Sequence, residues 1–244
     1  MSATDNKKLK ILCIHGYRQN AEVFKQKTGS FRKMVHKWAE FTFITAPHKV
    51  LYVSDLQTDK LDVQQSPDAE QYGWFFNRDD HTFRGIRKGG PAIGFEESIA
   101  VVEEAFNTYG PFDGILGFSQ GGCFTGLLCD LQNRNLLNFS FNFVMIISGF
   151  KSASLPHIKY YEDLISLPSL HVFGQNDDII PTGKRRFKFN TRTKEGFILD
   201  MSAALRGCFN DPVTVTHGGG HYFPATAVQK EDYQKFFKTR YDWK

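Results

Sequence analysis

The amino-acid sequence predicts an α/β fold with a mostly parallel central sheet and helices on both faces. Short apolar runs rich in β-branched residues alternate with longer amphipathic segments, the pattern expected of strands joined by crossover helices. The 244 residues are 41% hydrophobic and include 24 phenylalanines, enough to build a large core. Because no Ser- or Pro-rich linker and no internal repeat interrupts this pattern, residues 1–244 are predicted to form one domain.

Six strands and three helices are predicted. The strands are Leu9 to Ile14, Phe41 to Thr45, Gly114 to Phe118, Phe143 to Ser148, Leu170 to Phe173 and Val213 to Thr216. The helices are Gly94 to Tyr109, Gly121 to Asn133 and Val228 to Arg240. In the first helix Phe95, Ile99, Val102 and Phe106 recur at spacings of three and four, which places one apolar stripe against a sheet.

Residues 50–90 break the alternation and are predicted to form a long excursion near the functional site. They contain the aromatic run Tyr72-Gly73-Trp74-Phe75-Phe76. Two interpretations stay open. In one, Tyr72, Trp74 and Phe75 form an apolar wall for the alkyl chain of a ligand. In the other, these rings anchor the excursion to the core.

The positive charge is concentrated in residues 183–200. The formal net charge is +4, from 30 basic and 26 acidic residues, and this segment holds six basic and two acidic ones. The rest of the chain therefore carries 24 residues of each sign. Since nucleic-acid binding requires a basic face spread through the domain, nucleic acid is not predicted as a partner.

The sequence predicts a cytoplasmic protein, with the nucleus as the alternative. Its apolar runs, such as Phe143 to Ile147, are far shorter than the ~18 residues that cross a bilayer, so no integral membrane segment is expected. The polar residues 1–10 precede only four apolar ones, which does not predict a secretory signal. The four cysteines and the scattered histidines lack ligand spacing, so no metal and no cofactor is predicted.

The segment Gly117-Phe118-Ser119-Gln120-Gly121 has the pattern Gly-X-Ser-X-Gly between a predicted strand and a predicted helix. This is the strand–turn–helix context in which α/β-hydrolases hold a nucleophilic serine. Side chains two residues before and after Ser119 would collide at such a turn, so glycines are required there. Ser119 is therefore the candidate nucleophile, and the N–H group of Gln120 is a candidate oxyanion donor.

A serine nucleophile requires a histidine base and a carboxylate that orients it. The turn after the fifth strand offers Asp177 and Asp178, and Asp177 is preferred because it is nearer the strand end. The loop after the sixth strand offers His217 and His221. His221 is preferred because it closes a glycine run that permits close approach to the serine, whereas His217 is expected to hydrogen-bond the loop.

The first predicted strand ends at His15-Gly16-Tyr17-Arg18-Gln19-Asn20. The backbone N–H of Tyr17 is the predicted second oxyanion donor. His15 is expected to be a hydrogen-bonded structural residue.

These motifs together resemble the family of serine hydrolases (FSH type), small α/β-hydrolases of fungi and animals, and its animal esterases in particular. The resemblance covers nearly the whole chain and rests on residues 11–20, 27–33, 45–48, 73–75, 113–121, 147–150, 173–177 and 219–224. It implies an esterase acting on acyl esters, in the animal relatives with a preference for longer alkyl chains. It also implies Ser119, Asp177 and His221 as the catalytic triad.

In relatives of this family the chain passes from the Ile-Pro-Ser/Thr after the triad aspartate directly into a helix that resembles Met201-Ser202-Ala203-Ala204-Leu205. Residues 183–200 depart from this pattern and resemble an inserted segment. One hypothesis is a translated retained intron, since Gly183-Lys184-Arg185 can be encoded by a splice-donor consensus and the last residues by an acceptor. The alternative is a genuine surface loop. Sequenced transcripts distinguish the two, and in either case the segment is expected to be exposed and poorly ordered.

The leading hypothesis is a serine carboxylesterase with a small-molecule ester as substrate. An acyl thioesterase or short-chain deacylase is the alternative enzyme, because the acyl-enzyme chemistry is shared. A non-catalytic binding module on a hydrolase scaffold is the alternative outside enzymes. The oligomeric state stays open.

Overall fold

The computed structural model describes residues 7–50, 70–180 and 201–244, together with the backbone of two short strands at 186–187 and 196–197. The rest of the basic segment 183–200, whose exposure and order the sequence analysis addressed, lies outside the described residues. So does the part of the excursion between residues 51 and 69.

Six parallel strands form the central sheet of the described chain. They are β1 (Leu9–Ile14), β2 (Ala39–Ile44), β5 (Gly114–Phe118), β6 (Phe143–Ile147), β7 (Ser169–Gly174) and β10 (Val213–His217). Their order across the sheet is β10-β7-β6-β5-β1-β2. The chain leaves β1 toward β2 and later returns to β5 on the other side of β1. The strand order thus reverses between β1 and β5, where open α/β sheets form a crevice at their carboxyl edge.

Short elements complete the fold. Two antiparallel pairs join β3 (His48–Lys49) with β4 (Tyr72–Gly73), and β8 (Arg186–Phe187) with β9 (Gly196–Phe197). The helices are α1 (Ala21–Lys27), α2 (Gly29–Val35), α3 (Phe95–Tyr109), α4 (Gln120–Asn133), α5 (Met201–Arg206) and α6 (Ala227–Asp242).

Alternate residues of the strands face opposite sides of the sheet and are buried in two apolar clusters. Leu12, Ile14 and Ile115 contact the cluster that contains α3, α4 and α5 side chains. Their neighbours Ile11, Cys13 and Leu116 belong to the cluster with α1, α2 and α6. Helices therefore cover both faces of the sheet, as the sequence predicted.

The apolar period did not predict three helices, α1, α2 and α5, of which α5 lies where the family resemblance implies a helix. Each has six or seven residues and buries only one or two side chains, such as Phe24 in α1, so its apolar period is too short to recognise. The Asn20 side chain accepts a hydrogen bond from the Val23 N–H and thereby starts α1. No helix among the described residues is both long and apolar enough to cross a bilayer.

Three of the buried histidines have strongly lowered pKa values. Burial lowers the pKa of His15 and His157 to about 4 and that of His171 to about 3. The His171 ring packs edge-on against Phe209, and its Nε2 has no hydrogen-bond partner among the described residues. All three rings are therefore neutral in the folded protein at neutral pH.

This burial predicts acid destabilisation. Because the folded pKa values lie below the usual 6.5, the stability from neutral burial is present above about pH 6.5 and is lost as the pH falls through about 4. Urea unfolding at several pH values measures this loss. Between about pH 6.5 and 4, the free energy of unfolding is expected to fall by up to about 3 kcal/mol less in His171→Leu than in the wild type. An unchanged pH dependence in the variant would contradict the prediction.

Candidate active site

Ser119 stands at the turn between β5 and α4 with a strained backbone. Its φ of 54° and ψ of −116° are rare for a residue with a side chain. A Cβ on Gly117 would overlap the Thr125 hydroxyl, and a Cβ on Gly121 would overlap the carbonyl oxygens of Ile14 and His15. The two glycines of the motif therefore permit the turn, which places Ser119 beside the carboxyl end of β1.

The structure brings Ser119, His221 and Asp177 together. The Ser119 Oγ lies 2.8 Å from His221 Nε2, and His221 Nδ1 lies 2.8 Å from Asp177 Oδ2. Asp177 is fully buried, and its other oxygen accepts hydrogen bonds from the N–H groups of Ile179 (3.0 Å) and Ile180 (2.8 Å). The carboxylate is thus held in one orientation, with its remaining oxygen directed at the imidazole.

The loops that carry Asp177 and His221 are hydrogen-bonded to each other. The Gln175 N–H donates to the His217 carbonyl (2.7 Å), and the Asn176 N–H donates to the Gly219 carbonyl (3.0 Å). The Asn176 side-chain amide adds a third bond, to the Gly218 carbonyl (2.7 Å). These bonds join the ends of β7 and β10, so the distance between acid and imidazole is fixed by the sheet.

The alternative histidine and aspartate, His217 and Asp178, take no part in this hydrogen-bonded chain. His217 Nδ1 accepts a hydrogen bond from the Gly219 N–H (3.2 Å), and its ring packs against Tyr222. Burial lowers the pKa of His217. Asp178 is exposed and lines the cavity in front of Ser119.

The amides of Tyr17 and Gln120 border the serine. Gln120 is the first residue of α4, where N–H groups have no intrahelical acceptor. Tyr17 follows Gly16, at which an added Cβ would lie 3.3 Å from the Ser119 Cβ. Neither amide donates a hydrogen bond to another described residue. Both are therefore available to an oxygen that develops charge near Ser119.

His15 fixes the direction of the Tyr17 amide. The Ala46 N–H donates to His15 Nε2 (3.0 Å), so the ring proton is on Nδ1, which donates to the Gly16 carbonyl (2.7 Å). The Gly16 carbonyl and the Tyr17 N–H belong to one trans peptide and point in opposite directions. Holding the carbonyl on one side therefore aims the N–H to the other.

A cavity of about 130 Å³ opens in front of Ser119 and His221. Its other lining residues are Tyr17, Arg18, Phe83, Arg84, Gly85, Ile86, Phe150, Asp178, Ile179 and Ile180. Five of these side chains are apolar, so the cavity suits the hydrocarbon part of a small molecule.

The aromatic run of the excursion does not line this cavity. Trp74 and Phe75 are fully buried, Trp74 stacked on Phe124 and Phe75 edge-on against Phe83 and Phe95. Tyr72 lies in β4 and donates from its hydroxyl to Glu70 (2.7 Å). Of the two interpretations left open by the sequence, the contacts of Trp74 and Phe75 favour anchoring of the excursion to the core.

The side chain of Gln120 has a role that sequence reasoning missed. It is fully buried, its Oε1 accepts from the Trp74 N–H (3.0 Å), and its Nε2 donates to the Phe75 carbonyl (2.7 Å). The Trp74 indole N–H in turn donates to the His15 carbonyl (2.8 Å). The excursion is thus joined to both backbone segments beside Ser119. A glutamine next to the serine was the only sequence signal for this contact.

Comparisons with known proteins identify the family of this chain. A family model described as serine hydrolase (FSH1) matches residues 1–233. Esterase CG5412 of Drosophila melanogaster is 47% identical over 233 residues, which cover 96% of this chain and 75% of that protein. Esterase OVCA2 of Homo sapiens is 34% identical over 235 residues, which cover 93% of this chain and 95% of that protein.

Solved structures share the fold. Arabidopsis thaliana SOBER1 superimposes with a TM-score of 0.57 at 14% identity, covering 96% of this chain and 99% of SOBER1. The Bacillus cereus carboxylesterase gives a TM-score of 0.53 at 14% identity, covering 98% of this chain and 92% of its own. At these identities the likeness concerns the fold alone, which is the α/β-hydrolase fold.

The His15 contact predicts a measurable effect on catalysis. His15→Phe keeps a ring of similar size but removes the bond to Gly16, so kcat is expected to fall about 10–100-fold with little change in KM. The matched control is His157→Phe, which removes another buried histidine whose Nδ1 is hydrogen-bonded, here to Ser152 (2.8 Å). Equal losses in the two variants would show that His15 acts only through general stability.

Proposed function

Since this chain belongs to the FSH1 family of serine hydrolases, we propose that it is a carboxylesterase that hydrolyses acyl esters through an acyl-enzyme on Ser119. The continuous hydrogen-bonded chain from Ser119 through His221 to the buried Asp177, at the mouth of an apolar cavity, is the observation that supports this proposal. An imidazole within 2.8 Å of the hydroxyl can remove its proton as the hydroxyl attacks.

Acylation begins when the Ser119 oxygen bonds to the ester carbonyl carbon. The hydroxyl proton moves to His221 Nε2, and Asp177 stabilises the imidazolium through the Nδ1–H. The carbonyl oxygen becomes an oxyanion and accepts hydrogen bonds from the amides of Tyr17 and Gln120. The intermediate then breaks the bond to the alcohol oxygen, which takes the proton from His221 and leaves as the alcohol.

Deacylation repeats these steps with water. His221 removes a proton from a water molecule, whose oxygen attacks the acyl carbon, and the same two amides stabilise the second oxyanion. When the bond to Ser119 breaks, its oxygen recovers the proton from His221 and the carboxylic acid is released. Asp177 stays ionised throughout, because it orients the ring and is not a proton acceptor.

The walls of the cavity favour an apolar acyl group. Phe83 and Phe150 pack together with ring centroids 6.1 Å apart, and the side chains of Ile180 and Phe150 both lie beside Gly85. A hydrocarbon chain leaving water for this cavity gains about 0.8 kcal/mol per buried CH₂ group. We therefore assign the acyl chain to this wall and expect longer acyl groups to be better substrates until the cavity is filled.

Labelling with a fluorophosphonate probe tests the nucleophile. Ser119→Ala is expected to lose all labelling and at least ~10³-fold in kcat for an ester such as p-nitrophenyl butyrate. The control is Ser152→Ala, because Ser152 is also hydrogen-bonded to a histidine but lies in the core. Labelling that persists in Ser119→Ala, or disappears in folded Ser152→Ala, would refute the assignment. No labelling of the folded wild type would favour a non-catalytic binding module.

A series of p-nitrophenyl esters from acetate to octanoate tests the acyl site. We expect kcat/KM to rise severalfold per CH₂ group at first, because each buried group contributes about 0.8 kcal/mol. Phe83→Ala should move the optimum to longer chains, whereas Phe139→Ala, which truncates a ring packed on Phe106 outside the cavity, should not. A steady fall of kcat/KM from acetate onward would contradict the apolar-wall assignment. Matched thioesters in the same series distinguish an esterase from a thioesterase.

A further inference from the structure

Two neighbouring surface segments border the cavity and carry an unusual set of side chains. The first segment, residues 81–94, lines the cavity with residues 83–86. The second segment, residues 150–161, lines it with Phe150. The Gly89 N–H donates to the Ala153 carbonyl (2.7 Å), and the Leu155 N–H donates to the Gly90 carbonyl (2.9 Å). The two segments therefore form one continuous surface beside the cavity mouth, here called the rim.

The rim exposes three large aliphatic side chains. Ile86 is 53% exposed, Leu155 62% and Ile158 66%. Leu155 begins a turn of 3₁₀ helix and Ile158 follows it by three residues, so both project from the same side of the turn. His157, between them, is buried on the opposite side. Exposed apolar side chains grouped in this way mark a surface that contacts another protein or a membrane.

Within their bounds the two segments of the rim are also basic. They contain Arg84, Arg87, Lys88, Lys151 and Lys159 and no aspartate or glutamate. Acidic residues flank both segments: Asp80 pairs with Arg78 (2.8 Å), Glu162 lies 3.6 Å from Arg134 and Asp178 lines the cavity, whereas Asp79, Glu96, Glu97 and Asp163 are exposed just beyond the segment ends. A surface with aliphatic tips among lysines and arginines complements anionic headgroups over a hydrocarbon layer.

We propose that the rim docks the protein on an anionic lipid–water interface, so that esters of apolar acyl chains enter the cavity directly from the lipid. Ile86 belongs both to the rim and to the cavity, which makes a continuous apolar path from the interface to Ser119. This proposal rests on the proposed function in one respect, which is that the ester substrate binds in this cavity. A second copy of the chain fits the rim poorly, because a two-fold interface would set this basic surface against itself.

Co-sedimentation with vesicles tests docking independently of hydrolysis. The protein is mixed with vesicles of phosphatidylcholine alone or of phosphatidylcholine with phosphatidylserine. The wild type is expected to bind the mixed vesicles and to be released by high salt. Lys88→Gln and Lys159→Gln should each weaken binding about fivefold. Leu155→Ser and Ile158→Ser should each weaken it about tenfold.

Matched controls lie on other surfaces. Leu136, 63% exposed, follows the end of α4 that is remote from Ser119, and Lys235 is exposed on α6, which packs on the other face of the sheet. Leu136→Ser and Lys235→Gln should bind like the wild type. All variants should hydrolyse a water-soluble ester at the wild-type rate, which shows that they are folded.

The outcomes separate the two proposals. Vesicle binding by a protein without esterase activity would keep the docking surface and refute the proposed function. Active protein that binds neither vesicle, or that loses no binding in the four rim variants, would overturn the docking surface. Equilibrium sedimentation showing a dimer that Leu155→Ser and Ile158→Ser dissociate would overturn it too, since the rim would then be a contact between copies.

Discussion

The steric constraint at Ser119 is the condition on which the site depends. A residue with a side chain adopts φ of 54° and ψ of −116° only where its surroundings enforce it, at a cost of about 1–3 kcal/mol. Here Gly117 and Gly121 leave no Cβ atoms to oppose the turn; Thr125 fills the space against Gly117, and the end of β1 fills the space against Gly121. The strain lifts the hydroxyl toward His221 and starts α4 at the same point. One turn of backbone therefore positions both Ser119, the proposed nucleophile, and Gln120, a proposed oxyanion donor.

The remaining groups are positioned by hydrogen bonds between loops at the carboxyl edge of the sheet. Three bonds join the β7 and β10 loops and set Asp177 against His221. His15 orients the Tyr17 amide through the Gly16 carbonyl. The Gln120 side chain holds the excursion through the backbone of Trp74 and Phe75. The contacts of His15 and of the Gln120 side chain are buried, so their geometry is maintained without competition from water. The site lies where the strand order reverses, because only there do the β1 and β5 loops diverge enough to leave a cavity.

The sequence was informative where the physical signal is local. Strands β1 and β5 were predicted with their observed bounds, since each is a short apolar run that ends at a glycine-rich or polar turn. Ser119, Asp177 and His221 could be chosen from strand ends and glycine spacing, and they meet in the structure. The lining of the cavity could not be chosen, because whether an aromatic ring faces a cavity or the core depends on distant partners. Trp74 and Phe75 pack on core rings of α3 and α4, whereas Phe83 packs on Tyr17 and Phe150 at the cavity. The polar stretch that holds Phe83 and Ile86 has no period from which this difference could be predicted.

The central claim is that Ser119 reacts while the amides of Tyr17 and Gln120 bind the oxygen that becomes charged. A crystal structure of the protein inactivated by an alkyl fluorophosphonate tests it most directly, because the adduct has the tetrahedral shape of the intermediate. The account predicts phosphorus bonded to Ser119 Oγ, its oxygen within about 3 Å of both amide nitrogens, and the alkyl chain against Phe83 and Phe150. An adduct on another residue, or an oxygen turned away from both amides, would contradict it.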